Sequence, residues 1–201
     1  MAAPIDFWFS IGSTYTCLTV LRLAQRRLNI PELRWRPFDV RQIMLAQNNI
    51  PFRDKPVKAA YMWRDIERRA QKYGLSLSLS VPAPYPLPEL PLANQIALVG
   101  CEDGWCEAYV TETYKLWFGE GLEPGCEPAI SRALSAIGQD PAAVLARARS
   151  DAMAARLRAE SDKAMALGVF GAPSFVVGTE VFWGDDRLED ALKWAEDGRL
   201  D

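Results

Sequence analysis

Histidine is absent from all 201 residues, and that absence excludes more chemistry than any single motif supplies. Without an imidazole the chain cannot build a Ser-His-Asp or Cys-His pair, nor a zinc site that needs ring nitrogens. Proton transfer near neutrality is left to a thiol, a carboxylate, a lysine, a tyrosine or water. A C-x-x-C pair is also missing. Cys17, Cys101, Cys106 and Cys126 are scattered, and Cys101 and Cys106 stand five residues apart in a helical stretch, which is poor spacing for a chelate, so no metal site is expected. There is no basic excess either. The formal net charge is −3, whereas a nucleic-acid surface needs clustered cations. The densest basic pairs, Arg26-Arg27 and Arg68-Arg69, sit beside acidic or polar neighbours in helical patterns and read as solvated faces. No apolar run has the length of a membrane span. The first ten residues, MAAPIDFWFS, lack the basic segment and apolar stretch of a signal peptide. The expectation is a cytoplasmic protein whose four thiols stay reduced, with no nucleic-acid or membrane partner.

What is present is an ordinary apolar fraction in a chain long enough to bury roughly 70% of its unfolded surface. One large domain, or a small one carrying an insertion, therefore needs no staples. Ile5 to Ser10 (IDFWFS) is apolar and aromatic before a glycine, and reads as a buried strand. Ser13 or Thr14 is then the N-cap of a helix through Leu18, Leu21 and Leu28. Glu32 to Phe38 alternates, with Leu33, Trp35 and Pro37 on one side, so a βαβ unit opens the chain. Residues 54–73 carry apolar positions at Val57, Ala60, Tyr61 and Ile66 and end at Gly74, a suitable C-cap. Five prolines between Val81 and Pro91 dictate an extended loop. Helical patterns follow at Leu92–Val99, Trp105–Phe118, Pro128–Ile137, Pro141–Arg149 and about Ser150–Leu167. Ser174 to Gly178 and Glu180 to Trp183 then form a hairpin around Gly178-Thr179, and Asp185 or Asp186 caps a last helix. Trp8, Trp35, Trp117 and Trp183 read as core.

Three blocks carry a resemblance. Gly171-Ala172-Pro173 and Gly184-Asp185-Asp186-Arg187 bracket the hairpin; DFWFSIGSTYTCL opens the chain; and RDKPVKAAYMWRDIERRAQKYG lies between. Together they resemble the 2-hydroxychromene-2-carboxylate isomerase and kappa-class glutathione transferase family, a DsbA-like branch of the thioredoxin superfamily, over nearly the whole chain. The resemblance implies an α/β, thioredoxin-like fold with an inserted all-helical domain. Residues 1–40 and 165–201 would form the discontinuous thioredoxin-like domain, and residues 41–164 the insertion. Two positions depart from the family pattern: Thr14 stands where the family has proline, and Ser10 where it has an acidic residue.

The resemblance also implies a site. Ser13 takes the position of a redox cysteine and becomes the catalytic residue. Its place at a strand-to-helix junction suits a bound thiolate, although a plain N-cap is the alternative. Ala172, with Pro173 in a cis bond, would pair with the cysteinyl unit of glutathione as an added strand does. Asp185 and Asp186 would hold its γ-glutamyl end, and Asn49, Lys58 and Asp65 match positions that reach glutathione or organise its pocket. Tyr85 and Asn94 would approach an aromatic carboxylate substrate. The implied function is a glutathione-dependent cis–trans isomerase of aromatic catabolism, interconverting 2-hydroxychromene-2-carboxylate and trans-o-hydroxybenzylidenepyruvate, in a homodimer. Two rivals remain: a kappa-like transferase acting on small electrophiles, and a non-catalytic thioredoxin-fold binding protein. A disulfide oxidoreductase is disfavoured, since Ser13 and Thr16 are not thiols and Cys17 stands alone.

Overall fold

Alternating bulk sets the centre of the sheet. In β1 (Ile5–Phe9) the side chains of Phe7 and Phe9 share one face while Trp8 takes the other, and all three are fully buried. A strand dry on both faces must be covered on both by other elements. The computed structural model, which describes residues 2–25, 32–49, 52, 54–75 and 79–200, places β1 second in a four-stranded sheet of order β2-β1-β3-β4. It runs parallel to β2 (Leu33–Pro37) and antiparallel to β3 (Ser174–Val177), which pairs antiparallel with β4 (Glu180–Trp183). Register puts Phe7 opposite both Trp35 and Phe175. Their rings meet edge-on at 5.0 Å and stacked at 5.3 Å, respectively. Behind β1, Trp8 packs edge-on against Phe38 at 6.2 Å.

Helix α1 (Thr14–Gln25) follows β1; Arg26-Arg27 and Leu28 lie outside the described residues. Between β2 and β3 come α2 (Val40–Ala46), α3 (Pro56–Lys72), α4 (Leu90–Asp103), α5 (Cys106–Glu120), α6 (Ala129–Ala136), α7 (Pro141–Ala148) and α8 (Asp151–Ala166). After the hairpin, a 3-10 turn at Asp185–Arg187 leads into α9 (Leu188–Asp197). This is the expected α/β, thioredoxin-like sheet with helices inserted between its second and third strands. Asp39, Asp140 and Ser150 cap α2, α7 and α8 by accepting backbone N–H bonds. None of the described helices is long and apolar enough to cross a membrane.

Three expectations need correction. On α3 only Ile66 of the four apolar positions faces inward. The buried stripe is Met62, Ile66 and Ala70, spaced i, i+4, i+8, while Val57 and Tyr61 are exposed. The stripe is drawn in by the core and by the Thr14 hydroxyl, which meets the Met62 sulfur at 3.0 Å. Trp183 is not core, because β4 is the edge strand and the indole lies outside it, 54% exposed against Phe170. Neither Asp185 nor Asp186 caps α9. The helix begins at Leu188 without a side-chain cap, since the 3-10 turn carries both carboxylates away from its free N–H groups.

Candidate active site at the head of the first helix

The turn from β1 into α1 presents Ser13. Its N–H closes the turn on the Ser10 carbonyl at 3.0 Å. Its hydroxyl donates to the Ala172 carbonyl at 2.7 Å across 159 residues of sequence. The Thr16 N–H approaches the same oxygen at only 3.4 Å, a weak cap. The Ala172–Pro173 bond is cis, as expected. Two further bonds fix this turn: the Ser174 hydroxyl donates to the Gly171 carbonyl at 2.8 Å, and the Gly184 N–H donates to the Pro173 carbonyl at 2.9 Å. Gly171 lets the Trp183 indole close over the turn, because a Cβ there would lie 2.5 Å from the indole nitrogen and push it aside. The G-A-P-S and G-D-D-R motifs are therefore one structural unit, and Ser13 touches it. No thiol competes at this point. Thr16 is fully buried, and so is Cys17, whose thiol burial pushes well up.

The inner side of the Ser13 turn is held by neutral, dry groups. Asn94 on α4 is fully buried. Its carboxamide oxygen accepts from the Ile11 N–H at 2.8 Å, and its nitrogen donates to the Leu90 carbonyl at 2.9 Å with the Ser10 hydroxyl at 3.3 Å. Its amide nitrogen is thereby spent on the protein and its oxygen is tied to the turn. The expectation that Asn94 approaches a substrate is thus replaced by a positioning role, because the amide that would greet a ligand is the one that ties the turn down. From α5 the buried Tyr114 hydroxyl reaches the carbonyls of Ser10 at 3.1 Å and Ser13 at 3.0 Å. Ser10, fully buried, belongs to this neutral clamp, its hydroxyl accepting from the Val40 N–H at 3.4 Å as well as from Asn94.

The outer side is ionic. Tyr15 donates to Asp65 at 3.1 Å, and Asp65 also receives Arg68 at 3.2 Å and Arg69 at 3.0 Å. Arg69 in turn donates to the Tyr73 hydroxyl at 3.2 Å, which donates to Asp185 at 2.8 Å. Arg22, buried under the Tyr73 ring at 4.0 Å, donates to the Asp185 carbonyl at 2.7 Å and pairs with Glu189. Burial lifts the Asp65 carboxyl, but the hydrogen bonds from Arg68, Arg69 and Tyr15 together outweigh it and hold it below the usual range. At Asp185 burial wins, and its carboxyl is raised. Asp186 differs from both: it is 42% exposed and only 3.9 Å from Arg69 and Arg187. That leaves an available carboxylate beside a surface basin of about 500 Å³ bounded by Arg22, Lys72 and Tyr73.

On the other flank of Ser13 a cavity of about 690 Å³ opens from Gly12 towards α2, α3 and the proline-rich loop. Tyr85 lines it, with Phe52 at 5.9 Å and Trp63 at 6.0 Å, both edge-on. The loop is pinned by the Trp117 indole N–H, which donates to the Pro84 carbonyl at 2.9 Å, and by Arg41, which donates to the Leu87 carbonyl at 2.6 Å. The structure thus brings Ser13, Ala172 and Pro173 together and sets Asp65, Asp185 and Asp186 beyond Tyr15. Asn49 and Lys58 are exposed. Asn49 is tied by its N–H to the Met44 carbonyl at 2.8 Å, and the Lys58 ammonium lies 5.7 Å above the Phe52 ring; neither contacts the Ser13 turn. Sequence reasoning missed Trp63, Arg41 and the Tyr15–Arg69–Tyr73 chain. A tyrosine two residues after Ser13 and an arginine four residues after Asp65, on the same helix face, were the available signals.

With this geometry in hand, comparison with known proteins is informative. Residues 4–193 match the family model described as the DSBA-like thioredoxin domain. A 2-hydroxychromene-2-carboxylate isomerase of Sphingobium xenophagum is 31% identical over 94% of this chain and 96% of its own, and one of Pseudomonas putida is 29% identical over 92% and 90%. The solved structure of a selenomethionine 2-hydroxychromene-2-carboxylate isomerase superposes with a TM-score of 0.81 at 28% identity, covering 93% of this chain and 91% of that one.

Proposed function

Because the chain belongs to the DSBA-like thioredoxin family, alongside relatives named as 2-hydroxychromene-2-carboxylate isomerases, we propose that it is a glutathione-dependent cis–trans isomerase of aromatic catabolism. On this reading it interconverts 2-hydroxychromene-2-carboxylate and trans-o-hydroxybenzylidenepyruvate, in the cytoplasm and as a homodimer. The observation that carries it is the Ser13 hydroxyl, aimed at the Ala172 carbonyl from 2.7 Å at the head of α1, where a thioredoxin-like oxidoreductase needs sulfur. Turned from that carbonyl, the one hydroxyl proton bonds a guest thiolate, yet the oxygen forms no mixed disulfide with it, so a guest thiol stays a nucleophile.

The residues suit glutathione. The open first turn of α1 has N–H groups with no intrahelical partner and a positive dipole end, and both favour a thiolate beside Ser13. Ala172 offers backbone for the cysteinyl unit, and Asp186 offers a carboxylate for the γ-glutamyl ammonium. When bound, glutathione supplies a thiolate that adds reversibly to a conjugated double bond and frees that bond to rotate. The chain's own work is to hold the thiolate and present the double bond from the adjoining cavity. Turnover of trans-o-hydroxybenzylidenepyruvate tests the reading. Glutathione is expected to be required and not consumed. Its consumption would make the protein a transferase of the kappa type, and failure to bind it would leave a thioredoxin-fold binding protein.

A further inference from the structure

The cavity beside Gly12 has an uneven chemistry that the reading above does not use. Its described lining is apolar or aromatic except at Arg41, the only charged side chain there. Arg41 stands on the first turn of α2, just after the capping Asp39. It is half-buried, and of its five N–H donors one nitrogen is engaged, on the Leu87 carbonyl at 2.6 Å. It pairs with no carboxylate among the described residues. Its charge is felt inside the cavity, since it opposes the upward push that burial exerts on the Tyr85 phenol. Half-buried arginines elsewhere in this chain are paired: Arg36 meets Asp6 at 3.1 Å and Arg69 meets Asp65 at 3.0 Å.

Asp39 acts on the Arg41 charge from a distance, but no carboxylate bridges the guanidinium among the described residues, so its remaining N–H donors in the cavity wall favour an anion. Around it, Phe52, Trp63 and Tyr85 present ring edges and faces that suit a flat, apolar body. The volume of about 690 Å³ is ample for a single-ring acid. We infer that this cavity is the acceptor subsite and that Arg41 is its specificity-determining residue, taking the carboxylate of a planar arylidene keto acid in its guanidinium fork while the ring lies among Phe52, Trp63 and Tyr85. The inference rests on the isomerase reading for its relevance to turnover, though not for binding. Arg41 thereby selects acids over neutral electrophiles of the same shape, and the bond to Leu87 aims the fork rather than exhausting it.

The test uses two ligands that differ only in the group Arg41 would hold, trans-benzylidenepyruvate and the neutral benzylideneacetone. Calorimetric affinities are measured without glutathione for the native protein, Arg41→Lys and Arg41→Met, with melting curves alongside. The native protein is expected to prefer the acid by about 10-fold to 100-fold, the range of a charge-assisted bond. Arg41→Met should erase that preference, Arg41→Lys should keep part of it, and affinity for the ketone should stay unchanged in both. Equal native affinity for acid and ketone overturns the inference whatever glutathione does. A parallel loss for both ligands with a lowered melting temperature also overturns it, making Arg41 a strut for the proline-rich loop. A clear preference for the acid, in a protein that shows no glutathione-dependent turnover, upholds the subsite and sinks the isomerase reading instead.

Discussion

The turn that carries Ser13 is gripped from two sides by opposite chemistries. On the inner side Asn94, Tyr114 and Ser10 hold its backbone through neutral hydrogen bonds in a dry core. On the outer side Tyr15, Asp65, Arg69, Tyr73 and Asp185 form a partly solvated chain of charged and phenolic groups. A neutral clamp is indifferent to pH and salt but intolerant of substitution, because each lost partner leaves a buried donor or acceptor orphaned. An ionic chain has the reverse character: any one link is replaceable, and the whole responds to its medium. The Ser13 turn is therefore anchored by bonds that pH and salt do not reach, while the groups that would meet the polar end of a ligand stay adjustable.

The strongest way to break this comparison is at Asn94. Asn94→Ala orphans the Ile11 N–H and removes the side-chain tie to the Ser10 hydroxyl, and is expected to lower unfolding free energy by about 1–3 kcal/mol, read by urea denaturation. A change below ~1 kcal/mol would show that the inner clamp is no stronger than the outer chain. Next in size is Ser13→Ala. With Thr16 N–H at 3.4 Å the cap is weak, so melting should barely move, whereas glutathione-dependent turnover should fall by about 10-fold to 100-fold through loss of a charge-assisted bond. Titrating the ultraviolet absorbance of the bound thiolate separates the two roles. An unchanged titration with a lowered melting temperature returns Ser13 to a helix cap.

Asp186→Ala should weaken glutathione binding by a smaller amount, about 3-fold to 10-fold, because the carboxylate is 42% exposed and solvent screens such contacts; calorimetry measures it. The smallest effects sharpen the outer side itself. Asp65 titrates below its ordinary range in the fold, so its contribution is present above about pH 4 and is lost as pH falls through the folded value. The stability deficit of Asp65→Asn should be largest near neutrality and vanish in acid. Asp185 titrates above its ordinary range. Its protonated form is the one the fold favours, so stability declines as pH rises from about 4 through the folded value. Asp185→Asn should accordingly show its larger deficit in acid. Each difference is expected to stay under about 1 kcal/mol, and denaturation followed from about pH 2 to about pH 7 distinguishes the two signs.

The strands and most helices were legible because local signals and burial agreed. IDFWFS is apolar on both faces, and SFVVG-TEVFW alternates around a glycine turn. The meeting of Ser13 with Ala172-Pro173 was legible only through motif resemblance, since no periodicity links positions so far apart. Two kinds of feature escaped. On α3 the stripes 57-61 and 62-66-70 are both helical spacings, and only tertiary packing chooses between them. At Asn94 and Asp185, polar residue types that usually face solvent or cap helices are instead consumed internally, which depends on partners from β1, α1 and α3. Arg41 escaped for a related reason: its meaning lies in lining a cavity with no carboxylate bridged to its guanidinium, which a linear sequence does not display.

Cys17 lies sealed under α1, its thiol pushed well up by burial, and the chain contains no imidazole. The protein around the Ser13 turn is consequently a silent background for sulfur chemistry. A thiol brought to that turn has no histidine to blur its titration and no neighbouring protein sulfur exposed to react in its stead. On the proposed reading the inflection of a rate–pH curve nearest neutrality belongs to the guest rather than the host, and once the partly exposed Cys101 and Cys126 are replaced by serine, an alkylating reagent that stops turnover is expected to do so by consuming the guest's sulfur. A site built this way reports the acidity of its own ligand, and substituting thiols of graded acidity for glutathione would read out, one after another, how far the head of α1 lowers each of them.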